Sequence, residues 1–271
     1  MKEFRADLHC HSSCSDGSYS PEDLVRLAVD IGLSGLSITD HDSVDAYATA
    51  MPLARSLGLQ LIPGVEFSTA LFGVSVHLLG YGFQIDHPAI TALCARHRLR
   101  REERNRKILD NLANLGKPLT MEEVVPIGDH HTIGRPHIAL AMVKRGYVDN
   151  LQEAFKKYLS EGKPGFARGE SFTVQETIDT LHKANGSAVI AHPHLITHND
   201  ILSHLLEMNF DGIECYYAKF PIENHKRWLQ IAEKKGWLIT GGSDFHGSVK
   251  PSIPLGASWI DEAAFNKLLP K

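Results

Sequence analysis

Short apolar runs alternate with amphipathic helical stretches at both ends of this chain, and that rhythm restricts the fold more than any other feature of its 271 residues. "FRADLHC", "LSIT" and "LQLIPGVEFS" have the length and content of strands, and "VSVHLLGYGF" alternates at period two after a glycine turn. Between the first two, "SPEDLVRLAVDIG" is marked as a helix by Ser20 as N-cap, Pro21 in the first position, Glu22 and Asp23 in the first turn and Gly32 to end it. Leu24, Leu27, Ala28 and Ile31 form its apolar stripe. "SVDAYATAMPLARSLG" is a second helix. From residue 172 the pattern returns, with helices in "SFTVQETIDTLHKANG", "DILSHLLEMNF" and "PIENHKRWLQIAEKKG" and strands in "SAVIAHP", "DGIECYY" and "WLITGGSDFHG". Strands separated by helices predict βαβ units on a parallel sheet. About seven such units favour an α/β barrel over an open doubly wound sheet.

Residues 85–171 break the rhythm. They contain little strand signal and several helical patterns, among them "ALCARHRLRREERNRKILDNLANLG". The expectation is a helical insertion, 85–171, capping the active-site end of a barrel built from 1–84 and 172–271. Within it Arg96, Arg98, Arg100, Arg101, Arg104, Arg106 and Lys107 face only Glu102 and Glu103. Such a run is either a solvated surface helix or an anion-binding face.

The net charge of −4 predicts no general affinity for polyanions. Four irregularly spaced cysteines suggest no disulfide framework and fit a reducing compartment. "MKEFRADLHC" lacks the apolar core of a secretion signal, and no run of apolar residues is long enough to span a bilayer. A cytoplasmic protein without membrane contact, and without an evident obligate protein partner, is expected.

The placement of the 16 histidines carries the functional signal. His9 and His11 lie two apart at a strand end, so both point to one face while Cys10 points away. Asp16 follows in the loop. The second strand exits at "TDHD" with Asp40 and His41, the third at "GVEFS" with Glu66, and the next carries His77. "AVIAHPH" ends at His192, and "ITGGSDFHG" ends with Asp244 and His246. Any one histidine is better read as a hydrogen-bonded core residue. Together they fall at the strand ends where barrel active sites are built. Gathering so many polar and charged groups is severely destabilising unless cations neutralise them. Imidazoles with carboxylates and no thiolate pattern suit Mn²⁺, Zn²⁺ or Fe²⁺. Nine ligands, His9, His11, Asp16, His41, Glu66, His77, His192, Asp244 and His246, are too many for one ion and would serve two or three, with Glu66 a natural bridge.

At these positions the chain resembles the PHP family, named for polymerase and histidinol phosphatase, through "DLHCHSSCSDG", "ITDHDS", "VIAHPH" and "GGSDFHG", with "GVEFS" and "VHLLGYG" between them. The resemblance implies a distorted (β/α)₇ barrel that holds two or three divalent ions, Mn²⁺ first, and hydrolyses phosphate esters. "TIGRPHIALAMVKRGYV" and "AFKKYLSEGKPGFARGE" are similar to the branch of the family that acts on nucleotides. That branch comprises 3′,5′-nucleoside bisphosphate phosphatases and 5′→3′ exoribonucleases on short RNA. It implies phosphate contacts from Arg135 and Lys163, and from Arg104 and Arg168. His9, Asp16 and Glu66 would surround the activated water, and His194 or His198 would be nearest to protonate the leaving oxygen. Histidinol-phosphate phosphatase and a non-catalytic RNA-binding module are the rival readings.

Overall fold

The computed structural model describes residues 3–125, 132–218, 220 and 222–269. They form two compact units: the residues up to Cys94 together with those from Ser171 onward, and Ala95–Glu170.

In the first unit, strands β1 (Ala6–Cys10), β2 (Gly35–Ile38) and β3 (Gln60–Leu61) make a parallel three-stranded sheet in that order. β4 (Gly64–Leu71), β5 (Val74–Tyr81), β6 (Ser187–Ile190), β7 (Gly212–Tyr217) and β8 (Leu238–Gly242) make a second sheet in chain order. The α/β class is as expected, but the strands are not uniformly parallel. β5 runs antiparallel to both β4 and β6, because the expected glycine turn, at Phe72 and Gly73, closes a hairpin. Likewise "LQLIPGVEFS" is two strands. Pro63 separates β3 from β4, as a residue without an N–H cannot serve an interior ladder.

The sheets are joined by isolated bridges, His41 with Glu66 and Cys10 with Phe245, and no continuous closed ladder is present among the described residues. β1 nevertheless lies along β8: His11 N donates to Phe245 O at 2.9 Å and Asp244 N to His9 O at 2.7 Å. This approach requires Gly242, where a Cβ would stand 2.3 Å from His9 N.

Helices α1 (Pro21–Asp30) and α2 (Tyr47–Leu57) pack on the first sheet. The Ser20 side chain accepts from Asp23 N at 3.1 Å, and Gly32 leaves the helix at φ 79°. The buried stripe is Pro21, Leu24, Val25 and Ala28; Ile31, expected inside, is 39% exposed because the chain has already turned into its C-cap. Cys10 and Cys14 are buried in the same cluster and none of the four cysteines is in a disulfide, so these two act as packing residues. α7 (Val174–Lys183), α8 (Asn199–Glu207) and α9 (Ile222–Lys235) follow the predicted segments and bury their apolar faces on the second sheet, around Phe67, Leu78, Ile190 and Ile213. α10 (Glu262–Asn266) seats Phe265 against Ala6, Leu8 and Val189.

In the second unit, the 27-residue α3 (Pro88–Asn114) continues from the first and is followed by α4 (Met121–Val124), α5 (Arg135–Lys144) and α6 (Leu151–Ala154). Ile108, Leu112, Ile138, Met142 and Leu159 form its separate core.

Candidate active site

Eight of the nine residues singled out by sequence fall into three overlapping groups: His11, Asp16, His41 and His246; His9, His11, Glu66 and Asp244; His41, Glu66 and His77. Within each group, one potential ligand atom per residue lies within 4.8 Å of the others. The ninth, His192, brings Nε2 to 2.8 Å from Glu66 Oε1. The chain reaches this convergence at a conformational cost. Asp244 (φ 55°) and His192 (φ 26°) are among five described non-glycine residues with positive φ, and Asp42 (φ 57°), beside His41, is another. Strain of this kind persists where the surrounding structure over-determines it, as at functional sites. The loop carrying Asp16 folds back only because Gly17 lacks a Cβ, which would lie 2.0 Å from His11 O.

Glu66 is the centre. Its Oε1 meets His77 Nδ1 and His192 Nε2, each at 2.8 Å; its Oε2 meets His11 Nε2 at 3.1 Å, His41 Nδ1 at 3.2 Å and His9 Nε2 at 3.3 Å. It is 1% exposed. A carboxylate offers about four lone-pair positions, so five imidazoles exceed what hydrogen bonding alone can satisfy. His11 Nε2 and His41 Nδ1 are buried with no aligned partner among the described residues. Buried nitrogens left unpaired this way destabilise the fold. Lone pairs converging with carboxylate oxygens are instead what divalent cations take as ligands, and the residues present fit such ions.

The electrostatics agree. Burial opposes charge on Glu66, Asp16 and Asp244, yet the neighbouring imidazoles hold all three carboxyls well below the usual range. Burial likewise disfavours protonated His11, but Asp244 and Glu66 pull its pKa up to about 9. His41, its ring 4.6 Å away, is pushed by burial down to about 3. Neighbouring imidazoles disfavour each other's charge, and His11 and His41 are driven in opposite directions.

Surrounding groups fix the orientation of this set. Glu214 Oε1 accepts from His9 Nδ1 at 2.8 Å, which turns His9 Nε2 to the cluster; Glu214 Oε2 accepts from His192 N at 2.6 Å. Tyr217 Oη and Lys250 Nζ donate to Asp244 Oδ2 at 2.7 and 2.8 Å, leaving Oδ1 facing His11 at 3.3 Å and His9 at 3.5 Å. Asp40, buried, accepts from Ser12 N at 2.8 Å and from the Ser12 and Ser15 hydroxyls at 2.5 Å each, and so ties down the Asp16 loop. Asp7 accepts from the N–H groups of Ser243, Gly256 and His9 at 2.9, 2.8 and 3.1 Å and holds β8 to β1.

A PHP domain model matches residues 7–212. The chain belongs to the PHP family. A 5′-3′ exoribonuclease of Haemophilus influenzae is 36% identical to it across 94% of this chain and 92% of its own length. A 3′,5′-nucleoside bisphosphate phosphatase of Chromobacterium violaceum is 30% identical across 89% of this chain and 86% of its own. A crystal structure from Bifidobacterium adolescentis, assigned as a metal-dependent phosphoesterase, superposes with a TM-score of 0.88 at 31% identity, covering 97% of this chain and 94% of that one. The chain is therefore a metal-dependent phosphoesterase whose His, Asp and Glu clusters are able to bind ions.

In this PHP chain the remaining predicted residues stand as follows. His194 is half-buried, its ring 4.3 Å from that of Tyr217 and 4.1 Å from that of Phe220; burial and His192 lower its pKa to about 4, so it is neutral near pH 7. His198 is exposed before α8. Arg104, Arg135, Lys163 and Arg168 all belong to the second unit. There Arg104 donates to Asn105 Oδ1 at 2.9 Å. Arg135, in the first turn of α5, donates to Leu159 O at 3.3 Å and stacks over Phe166; burial and nearby Arg101 lower its pKa. Lys163 is exposed, and Arg168 is exposed and paired with Glu161. No helix is long and apolar enough to cross a membrane among the described residues.

Sequence reasoning passed over Asp7, Glu214, Tyr217 and Lys250. Glu214 had a readable signal, a carboxylate inside the apolar strand "DGIECYY", and Asp7 shares the parity of His9. Lys250 had none: it lies beyond the last motif, in a loop that returns to it.

Proposed function

We propose that this enzyme removes the 3′-phosphate from nucleoside 3′,5′-bisphosphates, such as adenosine 3′,5′-bisphosphate, yielding a 5′-mononucleotide and inorganic phosphate, with Mn²⁺ as its cation and Zn²⁺ or Fe²⁺ as alternatives. The observation that carries this reading is the set of five imidazoles around Glu66, with Asp16 and Asp244 alongside. The nine residues His9, His11, Asp16, His41, Glu66, His77, His192, Asp244 and His246 are the proposed ligands of two or three ions. When bound, such ions supply water activation near neutral pH and charge neutralisation at phosphoryl oxygens. The chain's part is preorganisation. Glu214 selects the His9 tautomer, Tyr217 and Lys250 hold Asp244, and burial excludes bulk water, so that donors are already aimed where charge develops. Water oxygen adds to phosphorus as the bond to the 3′ oxygen breaks, and that oxygen leaves with a proton. His194, expected from sequence to deliver it, is neutral near pH 7, so solvent supplies that proton.

Arg104, Arg135, Lys163 and Arg168 are the proposed cations for the second phosphate. The ring of strands β8, β1, β2, β4, β5, β6 and β7, joined by bridges and by the β1–β8 hydrogen bonds, supports reading the first unit as a distorted (β/α)₇ barrel. The cytoplasm is its proposed compartment, consistent with four cysteines outside any disulfide.

A second reading, 5′→3′ trimming of short 5′-phosphorylated RNA, is favoured by the greater identity of the Haemophilus influenzae exoribonuclease. Both are tested by incubating the Mn²⁺-loaded protein with adenosine 3′,5′-bisphosphate and with a 5′-phosphorylated trinucleotide, and resolving the products. Release of phosphate and AMP from the first is expected; trimming of the second without phosphate release from the first would reverse the ranking.

A further inference from the structure

Lys250 leaves the 3₁₀ turn Gly247–Val249, just after the last ligand motif. Its ammonium has three N–H groups, and among the described residues only Asp244 Oδ2 accepts one. The side chain is 40% exposed, so the ammonium is not sealed in the interior. Lys250 shares the hold on Asp244 with the Tyr217 hydroxyl, which donates to the same oxygen at 2.7 Å and stays in place when the ammonium is removed. What Lys250 adds is charge, one carboxylate away from the imidazole cluster.

The sign of that charge matters once the site holds ions. Asp16, Glu66, Asp244 and Glu214 bring four negative charges. Two or three divalent cations and one ammonium bring five to seven positive ones, so the loaded site is net positive. A phosphate monoester is a dianion near neutral pH and gains more from that charge than an internucleotide diester, which carries a single one. We propose that Lys250 is a specificity-determining residue, donating to a non-bridging oxygen of the scissile phosphate and favouring terminal monoesters over diesters. The inference rests on the phosphatase reading above and goes beyond it by naming what makes the site choose a monoester.

The test compares Lys250→Met, Lys250→Arg and Tyr217→Phe with the parent chain, all loaded with Mn²⁺. Metal per chain is measured by inductively coupled plasma mass spectrometry, and the affinity for inorganic phosphate by calorimetry. kcat/KM is measured on adenosine 3′,5′-bisphosphate and on a 5′-phosphorylated dinucleotide. Lys250→Met should keep its metal, weaken phosphate binding about tenfold, and lower kcat/KM on the bisphosphate about tenfold more than on the dinucleotide, the scale of one lost charge-assisted hydrogen bond. Lys250→Arg should recover most of both losses, and Tyr217→Phe should lower the two substrates equally. Equal losses in Lys250→Met, unchanged phosphate affinity, or loss of metal would each overturn the proposal, the last by reducing Lys250 to a support for Asp244. Lys250→Gln serves in its place should the Met variant not fold. If the parent chain cleaves only the dinucleotide, the phosphatase reading fails while the phosphate calorimetry still reports on Lys250.

Discussion

Glu66 presents both oxygens to five imidazoles, and its charge is the one feature that no neutral side chain reproduces. Glu66→Gln keeps the volume but turns an amide N–H₂ toward ring nitrogens. The expected result is loss of at least half the bound metal and a fall in kcat/KM of about a thousandfold, in the range for removing groups that stabilise developing charge. Elemental analysis beside steady-state kinetics checks it, and a fully metallated variant would show that Glu66 is no ligand. Glu214 acts differently, since it bonds His9 through Nδ1, the ring nitrogen turned away from Glu66, and His192 through its backbone N. Glu214→Gln can still accept from His9 Nδ1, more weakly. Metal affinity should drop about ten- to a hundredfold while kcat at saturating metal recovers, the usual cost of disturbing a ligand's support. Chelator competition measures the first, and a kcat that stays low at saturating metal would move Glu214 into the chemistry itself.

Among the elements, the β1–β8 approach has the least freedom. Asp7 bridges it by accepting from Ser243 N and His9 N, and Gly242 gives it room. In Gly242→Ala the new methyl would meet His9 N at 2.3 Å and His9 Cβ at 2.4 Å, both fixed in a buried strand. The cost should be roughly 1–3 kcal/mol or more, typical of overpacking, and His9 should be displaced with it. Urea unfolding and metal content should therefore fall together; a stable variant without metal loss would mean that β1 yields more readily than its contacts imply. The β4–β5 hairpin shows how element geometry changes a reading. His77 is expected on the strand after the glycine turn; β5 there runs antiparallel to β4, and His77 reaches Glu66 from its first half by pairing across from Ser68. Parity alone brought it to the correct face.

For the whole molecule, the consequence is that folding brings together groups that repel water-free neighbours of their own kind. Removing ions with EDTA should lower the thermal midpoint, and Mn²⁺ should restore it. At a hundredfold excess of free ion over its Kd a single site contributes about 2.7 kcal/mol. Scanning calorimetry over a Mn²⁺ series would reveal a midpoint indifferent to the ion if the cluster were merely hydrogen bonded. The strand–helix rhythm, the caps of α1 and the nine convergent residues were legible in the chain because each is a local pattern: a cap, a period, a polar residue closing an apolar run. The hairpin sense of β5, the exposure of Ile31, and the roles of Asp7, Glu214, Tyr217 and Lys250 were not, because each depends on a partner distant in sequence.

The sequence by itself determined which side chains would gather at one site, since strand parity and strand ends dictate where imidazoles and carboxylates point before any tertiary contact forms. Only the tertiary structure decided how they are held. The carboxylate that turns His9, the two donors on Asp244 and the closeness of β8 to β1 arise from burial that excludes water, and under that burial every polar group must find a partner.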